Sequence, residues 1–599
     1  MTPISPAAHR RRLWATGLLA GLLVACAGNT GSSTAWRNAA GPVTLTGLPR
    51  TVEEAAPTAA GDYLAGNFAL DRGDVRSAAD YLGRALDRNP DNLDLLQQVF
   101  LLTLASGNER AALDQALRLV KADAPSEEAQ LMLALDEARG GRFDAAARRL
   151  GAIDRGGIAG VVVPVLDAWA AFGKGDVGAA LGTLAGAADA ESMGTLHAYH
   201  RAMMLHLDGR TREAVDVMRA AMPDDGRAPL RMVRALGGML HGAGAADEAR
   251  RLYGRQIELG GDDVVLEADA AALARGEAPP APFEDAAGGM ADALLGLAEA
   301  LQQQGGGSRA IAYARLAEFV RPGYPEAALL IGDIFADREN HEEAVQAYRT
   351  VGDGPSAYAW EARLRTARAL HAMERKDDAY RLLREMADER PERTDALVEL
   401  GNLLRRDEDY GPAEVAYSRA IERIGGAERL DWPLLYSRGI TYERTDRWPE
   451  AEADFLRALE LEPEQPFVLN YLGYSWIEKG MHLDRAQDMI RRAVELRPND
   501  GFIVDSLGWV YYQLGDYAGA VEQLEQAVEL EPGDPVINDH LGDAYWRVGR
   551  KREAEYQWRR ALTLEPEEKD AGKIREKLRR GLAEGDGDDG SGPAPERRG

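Results

Sequence analysis

The chain has one cysteine, few aromatic residues and a deficit of positive charge, and each scarcity excludes a class of protein. One cysteine in 599 residues cannot form a disulfide within the molecule, and the lack of further thiols suits an oxidising compartment. A formal net charge of -27 argues against nucleic-acid binding and against attachment to anionic lipid by charge. Aromatic residues make up only 7% of the chain, and Ala, Leu, Glu and Arg are abundant. Both features indicate helices rather than sheets.

The first 25 residues are typical of a secretory signal peptide. A positive segment, residues 9–12, precedes an apolar segment, residues 13–25, that is too short to span a bilayer as a mature anchor. Residues 23–26, Leu-Val-Ala-Cys, resemble the lipobox of bacterial lipoproteins. That resemblance implies lipidation of Cys26 and, because the next residue is alanine rather than aspartate, an outer-membrane anchor facing the periplasm. The alternative is an ordinary secretory signal with a chance cysteine.

Internal repeats organise the rest of the chain, whose 599 residues exceed the roughly 250 to 300 at which a single core stops growing. Alanine recurs at intervals of 35, 34 and 34 residues at Ala451, Ala486, Ala520 and Ala554. A second alanine, a proline, a glycine and an aromatic residue recur with it. These companions are Ala458, Ala493, Ala527 and Ala561; Pro463, Pro498, Pro532 and Pro566; Gly439, Gly473, Gly508 and Gly542; and Tyr442, Trp476, Tyr511 and Tyr545. They are the anchor positions of the tetratricopeptide repeat, which residues 432–568 resemble closely.

Each anchor has a physical reason in a pair of antiparallel helices, A and B. Glycine and alanine occur where the two helices cross closely, and the aromatic residue fills the space between neighbouring repeats. Proline ends helix B because it cannot donate the helical hydrogen bond. Gly480, Gly515 and Gly549 lie between A and B, where we expect a left-handed conformation that costs little only for glycine.

Weaker copies of the same pattern extend the array towards the N-terminus. The alanine of helix B recurs at Ala413, Ala379, Ala344, Ala310, Ala249, Ala214, Ala180, Ala146, Ala112 and Ala78. The sequence therefore predicts an all-α tetratricopeptide-repeat solenoid of about fourteen repeats in two arrays. Six degenerate repeats occupy residues 59–263 and eight occupy residues 291–568, and the Pro- and Gly-rich segment 264–290 is predicted to be a linker.

The two ends of the chain lie outside the predicted repeats. Residues 26–58 are rich in Gly, Thr, Ser, Ala and Pro and are expected to form a flexible tether that follows the lipidated cysteine. Residues 569–599 are expected to form a capping helix and a disordered tail. Ile574, Leu578 and Leu582 give that helix a thin apolar stripe.

A protein-binding groove is predicted on the A helices of the last three repeats. Each A helix contains one of the regularly spaced glycines. Helical periodicity places the residues three before it, one after it, and four or five after it on the concave face. The predicted groove residues are Asn470, Tyr474, Ile477, Glu478, Asp505, Trp509, Tyr512, Gln513, Asp539, Asp543, Trp546 and Arg547. Exposed aromatics beside polar groups suit peptide binding. The alternative is that Trp509 and Trp546 pack partly against neighbouring helices. His540 is placed on another side of its helix.

The sequence offers no pattern that argues for catalysis. His197, His200 and His206 lie near one another, but no cysteine or well-placed carboxylate completes a metal site. No glycine-rich phosphate loop and no nucleophile elbow is present. We therefore predict no enzyme activity, catalytic residue, metal or cofactor, although an enzyme with an unrecognised site remains a third reading.

A sharper function follows only from family resemblance. The run from Phe467 to Arg550, together with the lipobox and the length, resembles large tetratricopeptide lipoproteins that bind periplasmic carboxy-terminal processing proteases in proteobacteria. This resemblance is strong over about residues 432–566 and weak in the N-terminal half. The resemblance implies an adaptor that recruits the protease and its substrates, often cell-wall hydrolases, as its protein partners. The alternative is a structural lipoprotein of an envelope assembly, such as exopolysaccharide export or pilus and secretin biogenesis, with assembly subunits as partners.

Overall fold

The computed structural model describes residues 58–186, 194–223, 228–260, 263–425 and 432–582. These residues form thirty α-helices and no strand, so the predicted all-α repeat solenoid is confirmed. The predicted signal peptide, the lipidation site Cys26, the tether up to residue 57 and the tail from residue 583 lie outside the described residues. Within the described ranges, no helix is long and apolar enough to cross a membrane.

Contacts divide the chain into two compact units, one reaching to Leu382 and the other beginning at Leu383. The helices of the first unit are α1 (Ala59–Asp71), α2 (Val75–Arg88), α3 (Leu93–Ala105), α4 (Glu109–Lys121), α5 (Glu127–Arg139), α6 (Phe143–Leu150), α7 (Ala159–Gly173), α8 (Val177–Gly186), α9 (Gly194–Leu207), α10 (Thr211–Ala221), α11 (Leu230–Gly242), α12 (Ala246–Gly260), α13 (Val264–Ala274), α14 (Ala286–Gln303), α15 (Gly307–Val320), α16 (Pro325–Asp337), α17 (His341–Arg349) and α18 (Ala357–Ala372).

Helix α19 (Lys376–Glu389) contains the division between the units. The helices of the second unit are α20 (Asp395–Arg406), α21 (Tyr410–Ile424), α22 (Trp432–Arg444), α23 (Trp448–Leu461), α24 (Pro466–Glu478), α25 (Leu483–Leu496), α26 (Gly501–Gln513), α27 (Tyr517–Leu530), α28 (Pro535–Arg547), α29 (Lys551–Thr563) and α30 (Glu568–Arg580). The fourteen predicted repeats correspond to fourteen A–B pairs among these helices, and α13 and α30 stand outside the pairs.

The predicted helix B alanines lie at the helix crossings. All fourteen of them, from Ala78 to Ala554, are 0% exposed. Glycine takes the facing position on helix A in the clearer repeats, and an added Cβ at Gly542 would lie 2.5 Å from the ring of Trp558. Interiors pack at nearly crystalline density, so a larger side chain at either position would push the pair apart. The small residues that recur in the sequence are therefore those that allow the two helices of a repeat to approach closely.

The turn between helices A and B contains a left-handed residue in every described repeat. Gly480, Gly515 and Gly549 have φ of 64°, 83° and 83°, as predicted. In four repeats the position is held by an acidic residue instead, namely Glu339, Glu374, Glu408 and Asp446. A side chain costs roughly 1–2 kcal/mol in this conformation, so the surrounding helix pair imposes the turn even without glycine.

The segment predicted as a linker, residues 264–290, is helical over α13. Asp263 caps this helix by accepting hydrogen bonds from the backbone N–H groups of Val265 and Leu266. The helix packs against α11, α12 and α18. Sequence periodicity did not predict this helix because α13 does not belong to an A–B pair and carries neither the glycine nor the aromatic anchor of a repeat.

The helices on both sides of that segment belong to one compact unit. Helices α14 and α15 pack against α3, α5 and α7, which are A helices of the N-terminal repeats. Gly289 lies against the ring of Trp169, and the Arg315 side chain donates to the carbonyl of Ala105 at 3.2 Å. Arg139 donates to the carbonyl of Phe319 at 3.0 Å. The division between units consequently falls within α19 rather than at 264–290, because the chain folds its later helices onto its earlier ones.

Candidate functional site on the concave face of the C-terminal repeats

The predicted groove residues lie on α24, α26 and α28, three A helices of which α26 contacts both others. Arg547 donates to the hydroxyl of Tyr512 at 3.1 Å, which joins α28 to α26. The predicted residues differ in exposure: Tyr474, Ile477, Asp505, Trp509, Tyr512 and Asp543 are buried; Asn470, Glu478, Asp539, Trp546 and Arg547 are half-buried; and Gln513 is exposed. The sequence therefore identified a shared face, but much of it is not open to solvent.

The prediction that Trp509 offers an exposed aromatic surface is wrong. Its side chain is only 4% exposed. The indole is stacked between Tyr512, with ring centroids 4.8 Å apart, and His540, at 4.1 Å. Successive A helices approach closely on the inside of the curve, so a large ring one residue after the glycine reaches the neighbouring repeat. The alternative reading, packing against a neighbouring helix, applies to this tryptophan.

His540 was assigned to a different side of its helix, and this assignment is also wrong. Its Nδ1 donates to Asp505, with Oδ1 at 3.0 Å and Oδ2 at 3.1 Å. Burial lowers the pKa of His540, but the charge of Asp505 and its hydrogen bond outweigh burial, so the pKa lies above its ordinary value. His540 thus links two A helices, and the contact with Asp505 favours its protonated form.

The last turn of the groove is covered by α30 of the same chain. Lys577 Nζ lies 2.8 Å from Asp539 Oδ2 and 2.6 Å from Asp543 Oδ2. Trp546 Nε1 donates to the carbonyl of Leu582 at 3.3 Å. Burial and the neighbouring Asp543 raise the pKa of Asp539 to about 6, although Lys577 opposes the rise. The two predicted groove carboxylates therefore hold an ammonium group.

Two further carboxyl groups, Glu478 on α24 and Glu443 on α22, belong to earlier repeats. Burial raises the pKa of Glu478 to about 7, and the charge of Glu443 adds to the rise while a hydrogen bond with Tyr474 opposes it. Glu443 accepts a hydrogen bond from the hydroxyl of Tyr471 at 3.2 Å. The Oδ1 atom of Asn470 is buried and has no hydrogen-bond partner. This region combines several acceptor groups, and the charges of Lys479 and His540 favour the ionised form of Glu478.

Glu443 and Lys577 were not among the predicted groove residues, for different reasons. Glu443 follows Gly439 by four residues, so the periodic rule applied to the later repeats would have found it. Lys577 lies outside the repeats, and no repeat spacing could have placed it on Asp539. The chemistry that converges here is that of carboxylates, one imidazole, one ammonium and several tyrosine hydroxyls, which suits recognition of cationic and hydrogen-bonding groups.

The histidines of the N-terminal unit form part of its packing. Trp169 Nε1 donates to Nδ1 of His200 at 3.2 Å. Burial is the main cause that lowers the pKa of His200 well below its ordinary value, and Arg231 and His197 lower it further. In the part of the chain that the structure describes, no group of three or more His, Cys, Asp and Glu side chains could hold a metal ion.

Comparisons with known proteins agree with the repeat architecture. The model described as "TPR repeat" matches residues 508–549, and the one described as "Tetratricopeptide repeat" matches residues 289–358. No curated protein matches the chain.

Solved structures with similar folds have low identity and low TM-scores. The APC/C hetero-tetramer Cut9–Hcn1 is 15% identical, covers 87% of this chain and 95% of its own, and has a TM-score of 0.36. A tetratricopeptide repeat protein from Parabacteroides merdae is 16% identical and covers 43% and 97%, with a TM-score of 0.34. TTC0263 from Thermus thermophilus is 22% identical and covers 31% and 99%, with a TM-score of 0.28. Such values carry no argument about function.

The helix pairs, the buried alanines, the left-handed turns and the matches to two repeat models agree with one another. Residues 289–358 and 508–549 match tetratricopeptide-repeat models, and the described residues have the fold of a tetratricopeptide-repeat solenoid.

Proposed function

We propose that this protein is a protein-binding scaffold whose partner site is the concave face of the C-terminal repeats. Tetratricopeptide repeats generally mediate protein partner binding. The observation that favours the C-terminal face is the packing of α14 and α15 against A helices of the N-terminal repeats. Those N-terminal A helices already contact helices of their own chain, whereas Glu443, Asn470 and Glu478 remain half-buried and accessible.

We further propose that Cys26 anchors the scaffold in the outer membrane and that the partners are a carboxy-terminal processing protease and its cell-wall hydrolase substrates. The lipobox resemblance at residues 23–26 and the family resemblance of residues 432–566 support this proposal. The mechanism is one of effective concentration: enzyme and substrate held on one scaffold meet almost as parts of one molecule. No catalytic group of the scaffold itself is required.

Affinity purification of the full-length chain from its native membranes tests the partner assignment. We expect a periplasmic protease to co-purify, and we expect it to degrade a wall hydrolase faster when the scaffold is added. Recovery of secretin, pilus or polysaccharide-export subunits in place of a protease would overturn the adaptor role and favour the structural alternative. Failure to recover any protein partner would overturn the scaffold role itself.

The anchor has a separate test. Cys26→Ala is expected to move the protein from the membrane fraction to the soluble periplasmic fraction, since even two acyl chains suffice for stable attachment. Far-ultraviolet circular dichroism serves as the control and should be unchanged, because Cys26 lies before the first repeat. A variant that stays in the membrane fraction would contradict the lipidation proposal.

A further inference from the structure

We propose that residues 43–52 of this chain pack back onto helix α1 and cover Leu64 and Phe68, so that the chain itself closes the open end of the solenoid. The occupant of this face is a segment of the same molecule, and neither a second copy nor a lipid surface. The contact lies on the first repeat and does not depend on the proposed partner site of the C-terminal repeats.

Helix α1 exposes a face that is buried in a later A helix of the same unit. Leu64 and Phe68, two residues before and two residues after the glycine of α1, are 69% and 64% exposed. At the same offsets from the glycine of α16, Leu330 and Ile334 are 6% and 0% exposed. Helix α16 packs against α15, the B helix of the preceding repeat. No described repeat precedes α1, so the equivalent face is open.

The chemistry of this face is that of a covered surface. The terminal repeats of a solenoid usually have a polar outer side. Here the outer side has a leucine and a phenylalanine, and Tyr63 beside them is 46% exposed. The Arg72 guanidinium lies 5.7 Å from the centre of the Phe68 ring, and most of that ring is still exposed. Large apolar side chains grouped in this way indicate an interaction site.

The chain just before α1 contains a matching apolar run. Residues 43–52 include four branched apolar side chains, whereas residues 27–42 have one large apolar side chain, Trp36. The four are Val43, Leu45, Leu48 and Val52. Val43 and Leu45 alternate with threonines, which gives an extended segment one apolar side. Because this run joins α1 directly, its effective concentration at the open face is high.

The connection between the run and the helix is long enough for this contact. Helix α1 begins at Ala59, and Phe68 lies about 14 Å further along the axis at a rise of about 1.5 Å per residue. The chain from Val52 to Thr58 can extend over about 20 Å. A segment that ends at Val52 can therefore turn back along α1 and reach both exposed side chains.

Area and charge disfavour the other occupants. A stable dimer buries about 800 Å² on each partner, and three side chains of at most about 250 Å² each offer less than this even when fully exposed. A helix that lies on a membrane surface has lysine and arginine on its polar side. Helix α1 contains neither, and its charged residues are Asp62 and Asp71.

The contact would also set the distance between the repeats and the membrane, a consequence that rests on the proposed anchor at Cys26. With residues 43–52 held on α1, residues 26–42 are left to connect the anchor to the solenoid. Their extended length is about 55 Å, compared with about 110 Å for the whole of residues 26–58. The scaffold would thus work in the half of that range that lies nearer to the membrane.

The test uses the full-length chain with Cys26→Ser, which contains no other cysteine. Cysteine is placed in turn at positions 43, 45, 48 and 52, each time together with Leu64→Cys. Leu70→Cys is the matched control, because Leu70 is on the same helix, is 37% exposed and lies about 120° around the helix from Leu64. For at least one position we expect about tenfold more intramolecular disulfide with Leu64→Cys than with Leu70→Cys under mild oxidation.

Hydrogen exchange gives a second readout that does not depend on the register of the contact. Val43→Ser with Leu45→Ser and Leu48→Ser removes apolar side chains that lie outside the repeats. The backbone amides of α1 should then exchange about tenfold faster, because the cover of the first repeat is lost. The amides of α16, whose equivalent face is covered by α15, should exchange at the original rate.

Four outcomes would overturn the proposal. Equal disulfide yields with Leu64→Cys and Leu70→Cys at every position, or unchanged exchange of the α1 amides, would show that the segment does not cover α1. Disulfide-linked dimers of the single variant Leu64→Cys would place a second copy on this face. Flotation of the Cys26→Ser chain with vesicles of phosphatidylethanolamine and phosphatidylglycerol, abolished by Leu64→Glu, would place a lipid surface there. Each of these results would leave the scaffold role of the C-terminal repeats intact.

Discussion

His540 and Asp505 form a hydrogen bond of 3.0 Å between two successive A helices, and the imidazole also stacks on one face of Trp509. Replacement of His540 by alanine should leave the buried Asp505 carboxylate unpaired and open one side of the indole. We expect a loss of about 2–4 kcal/mol in the free energy of unfolding, measured by urea denaturation. Glu555→Gln removes an exposed ion pair with Arg559 and should change the value by less than about 0.5 kcal/mol. Equal effects of the two substitutions would contradict this account.

The groove carboxylates predict that stability depends on pH. Glu478 and Asp539 have a raised pKa in the folded chain, about 7 and about 6, and the pKa of His540 is also raised. Groups with a raised pKa bind more protons when folded, so their contribution to stability is greatest in acid. For the two carboxyl groups it is lost as the pH rises from about 4 towards 7, and for His540 it is lost only above about pH 6.5.

The variant Glu478→Gln isolates one of these contributions. Relative to the original chain, it should be more stable by up to about 3 kcal/mol at pH 8, where Glu478 is charged, and equally stable at pH 4. Urea unfolding at the two pH values measures the difference. An advantage of the same size at both values would show that the carboxyl group is not held at a raised pKa.

Helix spacing predicts opposite effects for two glycine substitutions. Alanine at Gly542 would place its Cβ 2.5 Å from the Trp558 ring, which is held by a 2.8 Å hydrogen bond to Asp543. We expect a loss of about 1–3 kcal/mol from overpacking. Gly572 lies on the exposed side of α30 with no atom within 4 Å of its added Cβ, so alanine there should stabilise by about 0.5–1 kcal/mol. Thermal unfolding of the two variants compares them directly.

The N-terminal unit contains a buried ion pair, and removal of one of its two charged groups should lower the stability of the unit. Arg234 Nε donates to Asp269 at 2.6 Å, and both side chains are buried. Arg234→Met leaves Asp269 without its counter-charge and should cost about 3–5 kcal/mol, seen as a lower thermal midpoint. Arg250, which pairs with Asp247 on the surface of α12, provides the control. Replacement of Arg250 by methionine should leave the thermal midpoint almost unchanged. An equal decrease in both variants would show that burial of the ion pair does not determine the loss of stability.

The repeat spacing predicted the fold well because it records contacts between neighbours. Each B-helix alanine lies where its interval placed it, and glycine at 480, 515 and 549 adopts the expected left-handed turn. The packing of α14 and α15 onto earlier repeats was not predictable in this way. Trp169 and Gly289 meet across 120 residues, and neither belongs to a periodic pattern that links them.

The sequence predicted which residues share one face of the A helices, but it did not predict which of them are buried. Helical periodicity brought Asn470, Glu478 and Asp539 onto one side. Periodicity cannot tell that a neighbouring helix or an added helix covers a position, which is why Trp509 and Asp543 are buried. His540 precedes Gly542 by two residues, a position that was not counted among those facing the groove. In the structure α26 lies close enough for His540 to contact Asp505.

The fourteen fully enclosed alanines have a consequence for how this protein can change over generations. The small methyl group lets the two helices of a repeat cross closely, and in the unit that begins at Leu383 each repeat contacts mainly its neighbours. A larger side chain at one crossing would therefore change the direction of every later repeat in that unit. Substitutions at positions such as 443, 470 and 478 carry no such penalty, so the chain can acquire new binding preferences while its curvature stays constant.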